Sequence, residues 1–277
     1  MPTLAQRARP LLGTFVEIKL RNSSAAAFSQ AFEKIEQIHH RMSAHSADSD
    51  LAKIACQAHR GWLTLDAATA ELIRLSLEWA RLSNGAFDPV RAAVKLIHAG
   101  RRPCFTRELP NPAATWRDLK LHGLKIRATR PLAIDLGGIA KGYAVDLAAV
   151  IISTHHCSGI VNAGGDLRFI GDEERTISLK RPDSQTSLLQ LKEIPLAALA
   201  TTASYAFSDE TTNLDLVGTN LPAAGISITV FAKNCTLADA MTKAVLNLPT
   251  PQAAKLLKLL DCSALILRAN GSYLELP

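Results

Sequence analysis

The segment from Asp135 to Asp146 combines residue types that suit an anionic ligand. Gly137 and Gly138 form a turn between an apolar stretch, expected to end a strand, and a helix. Glycines at such a turn let backbone N–H groups approach an anion, and Lys141 adds an ammonium suited to phosphate. Asp135, at the strand end, is suited to hold a ligand hydroxyl, amide or cation. The spacing matches neither a P-loop nor the dinucleotide-binding fingerprint, so a glycine turn without a ligand is an equal alternative.

A second glycine turn follows one helix length later, at 161–166. It lies between an apolar strand and the stretch Leu167 to Ile170, so a plain hairpin explains it when it is taken alone. Two glycine turns that both carry carboxylates, Asp135 and Asp166, are harder to explain without a ligand. The region therefore indicates an anion site in an α/β segment.

The elements that must position these turns follow from hydrophobic periodicity and capping residues. Helices are expected after Ser23 and Ser24, at 49–57, at 66–83, and from Thr236 to about Leu248. Strands are expected at 14–20, 62–65, 119–126, 131–134, 158–161, 167–170, 176–180, 188–191, 196–201, 226–232, 263–267 and 272–276. Because most strands after Asp166 follow one another without helices, the pattern predicts an α+β fold. We expect one compact unit over residues 1–277, with mixed β-sheets flanked by helices.

The composition of the chain limits the classes of protein to which it can belong. The chain has 277 residues, 48% of them hydrophobic, which is enough for a large buried core. The formal charge of +6 suits an anionic ligand such as a dinucleotide. No run of Lys and Arg interleaved with aromatics occurs, so no nucleic-acid partner is expected. No stretch of about twenty apolar residues occurs, so no transmembrane segment is expected.

The five cysteines are scattered, odd in number, and form no C-x-x-C pair. This pattern favours free thiols and argues against a zinc site. The first nine residues contain no apolar signal segment, and no lipobox cysteine follows. The sequence therefore predicts a cytoplasmic protein. An exported form whose leader is not part of this sequence is the alternative.

Five segments, in order, resemble motifs of the ApbE family, the FAD:protein FMN transferases. Leu12 stands where the family's MGT opening has Met, and the others are similar to its GAFDP, D-x-G-x-I-A-K-G-Y-A-V-D, N-x-G-G-D and A-D-A motifs. The resemblance runs from about Arg9 to about Leu248 and so covers most of the chain. The matching segments are Arg9–Thr14, Gly85–Pro89, Asp135–Asp146, Asn162–Asp166 and Thr236–Met241.

The resemblance implies an activity and a set of site residues. Family members move FMN from FAD onto a Ser or Thr of an acceptor flavoprotein and release AMP, with Mg²⁺ bound. Asp239 and Lys141 are implied in catalysis. The implied Mg²⁺ ligands are the backbone carbonyl of Gly138, the Asp239 carboxylate and the Thr242 oxygen. The implied FAD contacts are Leu12, His45, Ala86, Phe87, Asp88, Asp135 and Lys141.

The sequence departs from the family pattern in two places. The family's H-x-x-D-P-x-T-G motif is replaced at 211–218 by a segment without the His, in which no Pro follows Asp215. The family also has Thr four residues after the aspartate of its A-D-A helix, where this chain has Lys243. An ammonium one turn beyond Asp239 lies on the same helix face. Lys243 would then either pair with Asp239 or turn to solvent and leave Thr242 to supply the oxygen.

Three functions stay open at this point. The first is an Mg²⁺-dependent FAD:protein FMN transferase, which the resemblance favours. The second is a non-catalytic FAD-binding protein of the same fold. The third is an Mg²⁺-dependent FAD pyrophosphatase that yields FMN and AMP.

Overall fold

A computed structural model describes residues 4–22, 24–43, 46–98, 100, 108–171, 176–182, 188–191, 194, 196–204 and 225–277. Contacts between Cα atoms divide the chain into two compact units. The sheet unit contains residues 1–35 and 141–277, and the helical unit contains residues 36–140. The single domain expected over 1–277 stays a prediction.

An open eight-stranded sheet forms the sheet unit, in the order β1-β2-β6-β7-β10-β11-β12-β13. Each neighbouring pair is antiparallel; β2 and β6, for example, align Val16 with Ala163. The strands are β1 Leu4–Leu11, β2 Thr14–Arg21, β6 Ser158–Ala163, β7 Asp166–Ile170, β10 Ala198–Ser204, β11 Ile226–Ala232, β12 Ser263–Arg268 and β13 Tyr273–Leu276.

Four helices belong wholly or partly to the sheet unit: α1 Ala25–Arg41, α5 Ala140–Thr154, α6 Cys235–Asn247 and α7 Thr250–Leu259. Helix α6 packs on β7, β10 and β11, and α7 packs on β12 and β13. A two-stranded ribbon of β8 Ile177–Lys180 and β9 Leu188–Leu191 contributes to a second apolar cluster. Phe231 of β11 belongs to that cluster, and all seven residues of β11 are buried. Strand β11 is therefore covered on both faces, and its polar residues Ser227 and Thr229 are buried together with its apolar ones.

The helical unit contains α2 Asp50–Gln57, α3 Ala67–Leu82 and α4 Pro89–His98, with a three-stranded sheet ordered β3-β5-β4. Its strands are β3 Leu63–Thr64, β4 Leu119–His122 and β5 Lys125–Ala128, and a short 3₁₀ turn at Trp116–Asp118 precedes β4. Ser49 caps α2 and Asp66 caps α3 through side-chain oxygens that accept backbone N–H groups. The cap at Asp66 was expected from the sequence, whereas Ser49 was expected as the first residue of its helix.

The structure confirms the α+β class and corrects several local expectations. Residues 131–134 are not in a strand, and the strand expected at 119–126 is a hairpin that turns at Gly123. The cap of α6 is Asn234, whose side chain accepts the N–H of Leu237, and not Thr236. Strand β1 and helix α4 were not expected. Every strand pair among the described residues is antiparallel. The sheets, expected to be mixed, are therefore antiparallel sheets flanked by helices.

Candidate functional site

Two tight turns lie side by side at one end of the large sheet. Leu12 and Gly13 join β1 to β2 with φ angles of 56° and 72°, and Gly164 and Gly165 join β6 to β7 with 65° and 103°. A Cβ on Gly164 would lie 2.5 Å from the Thr14 hydroxyl oxygen, so only glycine allows the turns to pack this closely. Leu12 holds a left-handed conformation that is unfavourable for a branched side chain, and such strain clusters at functional sites.

Three charged side chains meet near the second turn. The ammonium of Lys141, near the start of α5, lies 2.8 Å from Oδ2 of Asp166 and 3.4 Å from Oδ2 of Asp239 on α6. The 2.8 Å contact is an ion pair by distance, although its geometry is not that of a hydrogen bond. Both carboxylates are buried, with 2% and 1% of their surface exposed. Lys141 therefore lies between two buried anions, which it partly neutralises.

Asp166 is the carboxyl group whose protonation is most perturbed in this cluster. Burial, followed by the negative charge of Asp239, raises the pKa of Asp166 from 3.8 to about 6. The positive charges of Lys141 and Lys243 act in the opposite direction but do not cancel the effect. Asp166 therefore changes protonation within the range of pH at which proteins commonly work, a property frequent at functional sites.

A carboxylate on α5 holds the first turn of α6. Asp146 accepts hydrogen bonds from the backbone N of Cys235 at 2.9 Å and of Thr236 at 2.8 Å, and from the Thr236 hydroxyl. An anion at a helix N-terminus satisfies free N–H groups and interacts favourably with the helix dipole. Burial raises the pKa of Asp146, and these hydrogen bonds oppose the rise. The contact fixes the start of the helix that carries Asp239.

Gly142 makes the close approach of these two helices possible. A Cβ at this position would lie 2.3 Å from the carbonyl oxygen of Cys235 and 2.9 Å from the Cα of Thr236. Without that Cβ, the backbone N of Gly142 donates to Oδ2 of Asp239 at 3.2 Å. Asp239 is thereby held by α5 through both this N–H and Lys141.

A chain of hydrogen bonds runs beside Asp239. The Thr242 hydroxyl donates to the backbone carbonyl of Asp239 at 2.7 Å, so its single proton is used there. The 2.9 Å contact between the hydroxyls of Thr202 and Thr242 must then be donated by Thr202. Lys243 donates in turn to Thr202. The ammonium of Lys243 is therefore directed to the Thr202 hydroxyl, a contact that neither of the two expected arrangements included.

The donor atoms of this cluster do not suit a bound divalent cation as they are arranged. Oδ2 of Asp239 already contacts Lys141 and the N–H of Gly142, the oxygen of Thr202 accepts a proton from Lys243, and the oxygen of Thr242 accepts one from Thr202. Among the described residues, no three His, Cys, Asp or Glu side chains form a group that could hold a metal ion. Mg²⁺ would need an ammonium to move away.

The helical unit contains the other expected FAD residues. The carboxylate of Asp88 accepts the backbone N–H groups of Val90, Arg91 and Trp116, so it caps α4 and ties the 3₁₀ turn to it. Burial raises the pKa of Asp88, and the same hydrogen bonds oppose the rise. Phe87 is buried and Ala86 is half-buried. These contacts give Asp88 a structural role, and the FAD contacts of all three residues stay predictions.

Asp135 and Gly138 also lie in the helical unit, in the turn before α5. Oδ1 of Asp135 accepts the N–H of Gly137 at 2.8 Å, so this side chain orders the glycine turn. The backbone N of Asp135 donates to the carbonyl of Pro89 at 3.0 Å, which joins the turn to the start of α4. His45 and the segment 211–218 lie outside the described residues.

Comparison with known proteins places this arrangement in a family. The sequence model of the ApbE family matches residues 12–266. The chain belongs to the ApbE family. A curated relative from Treponema pallidum, an FAD:protein FMN transferase, is 28% identical over 189 residues, which cover 60% of this chain and 51% of the relative. One of the same name from Chlamydia muridarum is 25% identical, with 89% and 82% covered.

Solved structures support the ApbE fold. The ApbE protein from Thermotoga maritima superposes with a TM-score of 0.78 at 23% identity, covering 98% of this chain and 96% of that one. The flavin transferase ApbE from Vibrio cholerae gives a TM-score of 0.80 at 19% identity, with 99% and 97% covered. The chain spans about half the length of the first two curated relatives, 51% and 54%.

Within this ApbE chain, the structure brings together some expected residues and adds others. Lys141, Asp239 and Thr242 lie in one cluster. Asp166, Thr202, Lys243 and Asp146 belong to the same region but were not among the expected site residues. Asp166 had a signal, because it ends the second glycine turn. Asp146 had one as well, because it ends the matched segment Asp135–Asp146. Thr202 had none, since its partners Thr242 and Lys243 are distant in sequence.

Two general expectations are also addressed by the structure. No helix among the described residues is long and apolar enough to cross a membrane. Four of the five cysteines are described, and none of these four forms a disulfide with another described residue: Cys56, Cys157, Cys235 and Cys262. Cys104 lies outside the described residues.

Proposed function

We propose that this chain is an FAD:protein FMN transferase, which moves FMN from FAD to a Ser or Thr hydroxyl of an acceptor flavoprotein and releases AMP. The family match over residues 12–266 and relatives bearing that name support the proposal. The observation that carries it is the ammonium of Lys141, held near the start of α5 by two buried carboxylates. A positive charge fixed there suits the diphosphate of FAD.

The transfer places definite demands on the site. The acceptor hydroxyl oxygen attacks the phosphorus of the FMN half, the bond from that phosphorus to the bridging oxygen breaks, AMP leaves with that oxygen, and the hydroxyl proton is released to solvent. Negative charge develops on the transferred and leaving phosphates, so a fixed cation and helix N-terminal N–H groups lower the barrier. Lys141 on α5 supplies the cation. Asp166 and Asp239 position its ammonium and so act through it.

The Mg²⁺ dependence that the resemblance implies, with ligands from Gly138, Asp239 and Thr242, stays a prediction. It requires at least one lysine ammonium to leave the oxygens that it now contacts. The FAD contacts of Leu12, His45, Ala86, Phe87, Asp88 and Asp135 also stay predictions. A cytoplasmic location stays a prediction as well and rests on the odd number and scattered positions of the cysteines in the sequence.

The test is an incubation of the protein with FAD and a candidate acceptor, once with excess Mg²⁺ and once with EDTA. Flavin fluorescence that stays on the acceptor band in a denaturing gel, with AMP in equal amount, supports the transfer. AMP without labelling identifies an FAD pyrophosphatase, and neither product identifies a protein that only binds FAD. Either of these results, obtained with several acceptors, contradicts the proposal.

Variants of Lys141 connect the activity to the site. Lys141→Ala removes the ammonium between the two carboxylates, and we expect transfer to fall at least about a hundredfold, the scale for losing a preorganised electrostatic contact. Lys255→Ala removes an exposed lysine of α7 and is the matched control. Equal loss in both variants, or no loss in Lys141→Ala, would mean that the cluster is not the site of transfer.

A further inference from the structure

The region around Asp239 already contains two cations that belong to the chain. Lys141 lies 2.8 Å from Asp166 and 3.4 Å from Asp239, and Lys243 donates to the Thr202 hydroxyl next to Thr242. The positive charge of Lys243 also acts on Asp166, which places both ammonium groups in one electrostatic cluster. Two buried carboxylates thus face two ammonium groups, so the charges of these four side chains balance when all are ionised.

The same ammonium groups contact the hard oxygen atoms that Mg²⁺ prefers. Lys141 takes up one carboxylate oxygen of Asp239, and Lys243 takes up a lone pair of the Thr202 hydroxyl. The order of donation then continues from Thr202 to Thr242 and ends at the backbone carbonyl of Asp239. Binding of Mg²⁺ would therefore break several contacts at once. It would also bring a double positive charge close to two partly buried ammonium groups, where like charges repel.

We propose that the ammonium groups of Lys141 and Lys243 take the place of a divalent cation at this site, so that the protein binds its ligand without bound Mg²⁺. Lys243 is the decisive residue, because it lies on α6 one turn after Asp239 and its ammonium donates to the Thr202 hydroxyl, which in turn contacts the Thr242 hydroxyl. Lys141 alone leaves those hydroxyls accessible to a cation. With both ammonium groups in place, the proposed transfer does not require bound Mg²⁺. Only this consequence for catalysis rests on the proposed function, whereas the binding of Mg²⁺ and FAD does not depend on it.

Calorimetric titration of the purified protein with MgCl₂, without FAD, tests the proposal directly. The wild type should bind Mg²⁺ with a dissociation constant weaker than about 1 mM. Lys243→Thr removes the ammonium and adds a hydroxyl oxygen, so its affinity should be at least about tenfold higher. Lys243→Met removes the charge without adding an oxygen and should gain less. Lys255→Thr makes the same exchange on the exposed face of α7 and should bind as the wild type does.

A second measurement uses the wild type alone and does not depend on how the variants fold. FAD affinity, followed by quenching of flavin fluorescence, should be the same in excess Mg²⁺ and in EDTA. Wild-type Mg²⁺ binding tighter than about 1 mM, or a loss of FAD affinity of more than about tenfold in EDTA, would overturn the proposal. A folded Lys243→Thr variant without a gain in Mg²⁺ affinity would overturn the role of Lys243. None of these results depends on turnover, so flavin transfer stands or fails separately.

Discussion

Gly142 offers a sharp test of how the site is built, because helix propensity and tertiary packing predict opposite effects of one methyl group. Gly142→Ala replaces a glycine inside α5, a change that by propensity alone should stabilise the helix by about 1 kcal/mol. The added Cβ, however, would lie 2.3 Å from the carbonyl oxygen and 2.7 Å from the carbonyl carbon of Cys235. These are backbone atoms of α6, so they cannot rotate away as a flexible side chain would.

The magnitude follows from the displacement that relief of this contact requires. An ordinary carbon contact needs about 3.5 Å, so α5 and the start of α6 must separate by about 1 Å. Forced shifts of this kind cost about 1–3 kcal/mol in well-packed interiors. The separation also weakens the hydrogen bond from Gly142 to Asp239, 3.2 Å long, and the ion pair of Asp239 with Lys141. We expect a net loss of about 2 kcal/mol in the free energy of unfolding, together with weaker FAD binding.

Urea denaturation of the wild type and Gly142→Ala measures the first effect, and a fluorescence titration with FAD measures the second. Gly61→Ala is the matched control, because a Cβ at Gly61 has no atom within 4 Å and the change should be near neutral. If Gly142→Ala is as stable as the wild type or more stable, the gain in helix propensity outweighs the added contact, and the close approach of α5 and α6 is wrong.

Three further predictions address the charges and thiols. The folded protein raises the pKa of Asp166 from 3.8 to about 6, so between these pH values it binds more protons than the unfolded chain. The free energy of unfolding should therefore fall by about 3 kcal/mol as pH rises from about 4 to about 6. Asp166→Asn should flatten this slope in thermal unfolding, and an unchanged slope would contradict the assignment. Asp146→Ala should lower the free energy of unfolding by about 1–2 kcal/mol through loss of the contact with the start of α6, Asp146→Asn should lose less, and equal stability of all three proteins in urea would show that the contact contributes nothing. Alkylation without reductant should label all five cysteines in denatured protein by mass spectrometry, whereas a disulfide-linked peptide would contradict the free thiols and the cytoplasmic location inferred from them.

Much of the local structure was predictable because its causes are local. The caps at Ser49 and Asp66 lie within three residues of the N–H groups that they accept, so the sequence displays both partners together. Residues 226–232 match β11 at both ends, since a short run rich in Ile, Thr, Val and Phe is typical of a strand. The strand expected at 131–134 failed for a related reason. Its apolar side chains are buried, but burial alone does not provide a neighbouring strand to pair with.

The candidate site divides in the same way. Motifs in the sequence indicated Lys141, Asp166 and Asp239, and each of these residues lies at or near the start of a helix or strand. Only the tertiary structure decided that these side chains contact one another, since Lys141 and Asp239 are 98 residues apart. The direction of Lys243 was likewise open in the sequence, because its neighbour Thr202 comes from β10 and lies 41 residues away.

The sequence by itself therefore determined the glycine turns, the helix that carries Asp239 and the resemblance to the ApbE family. The tertiary structure decided which cation each oxygen contacts. The physical reason is that turns and caps arise from atoms within a few residues of each other, whereas the pairing of charges depends on strand order and on how closely α5 approaches α6. That approach depends on the missing side chain of Gly142 and on the contact of Asp146 with Cys235, 89 residues further along the chain.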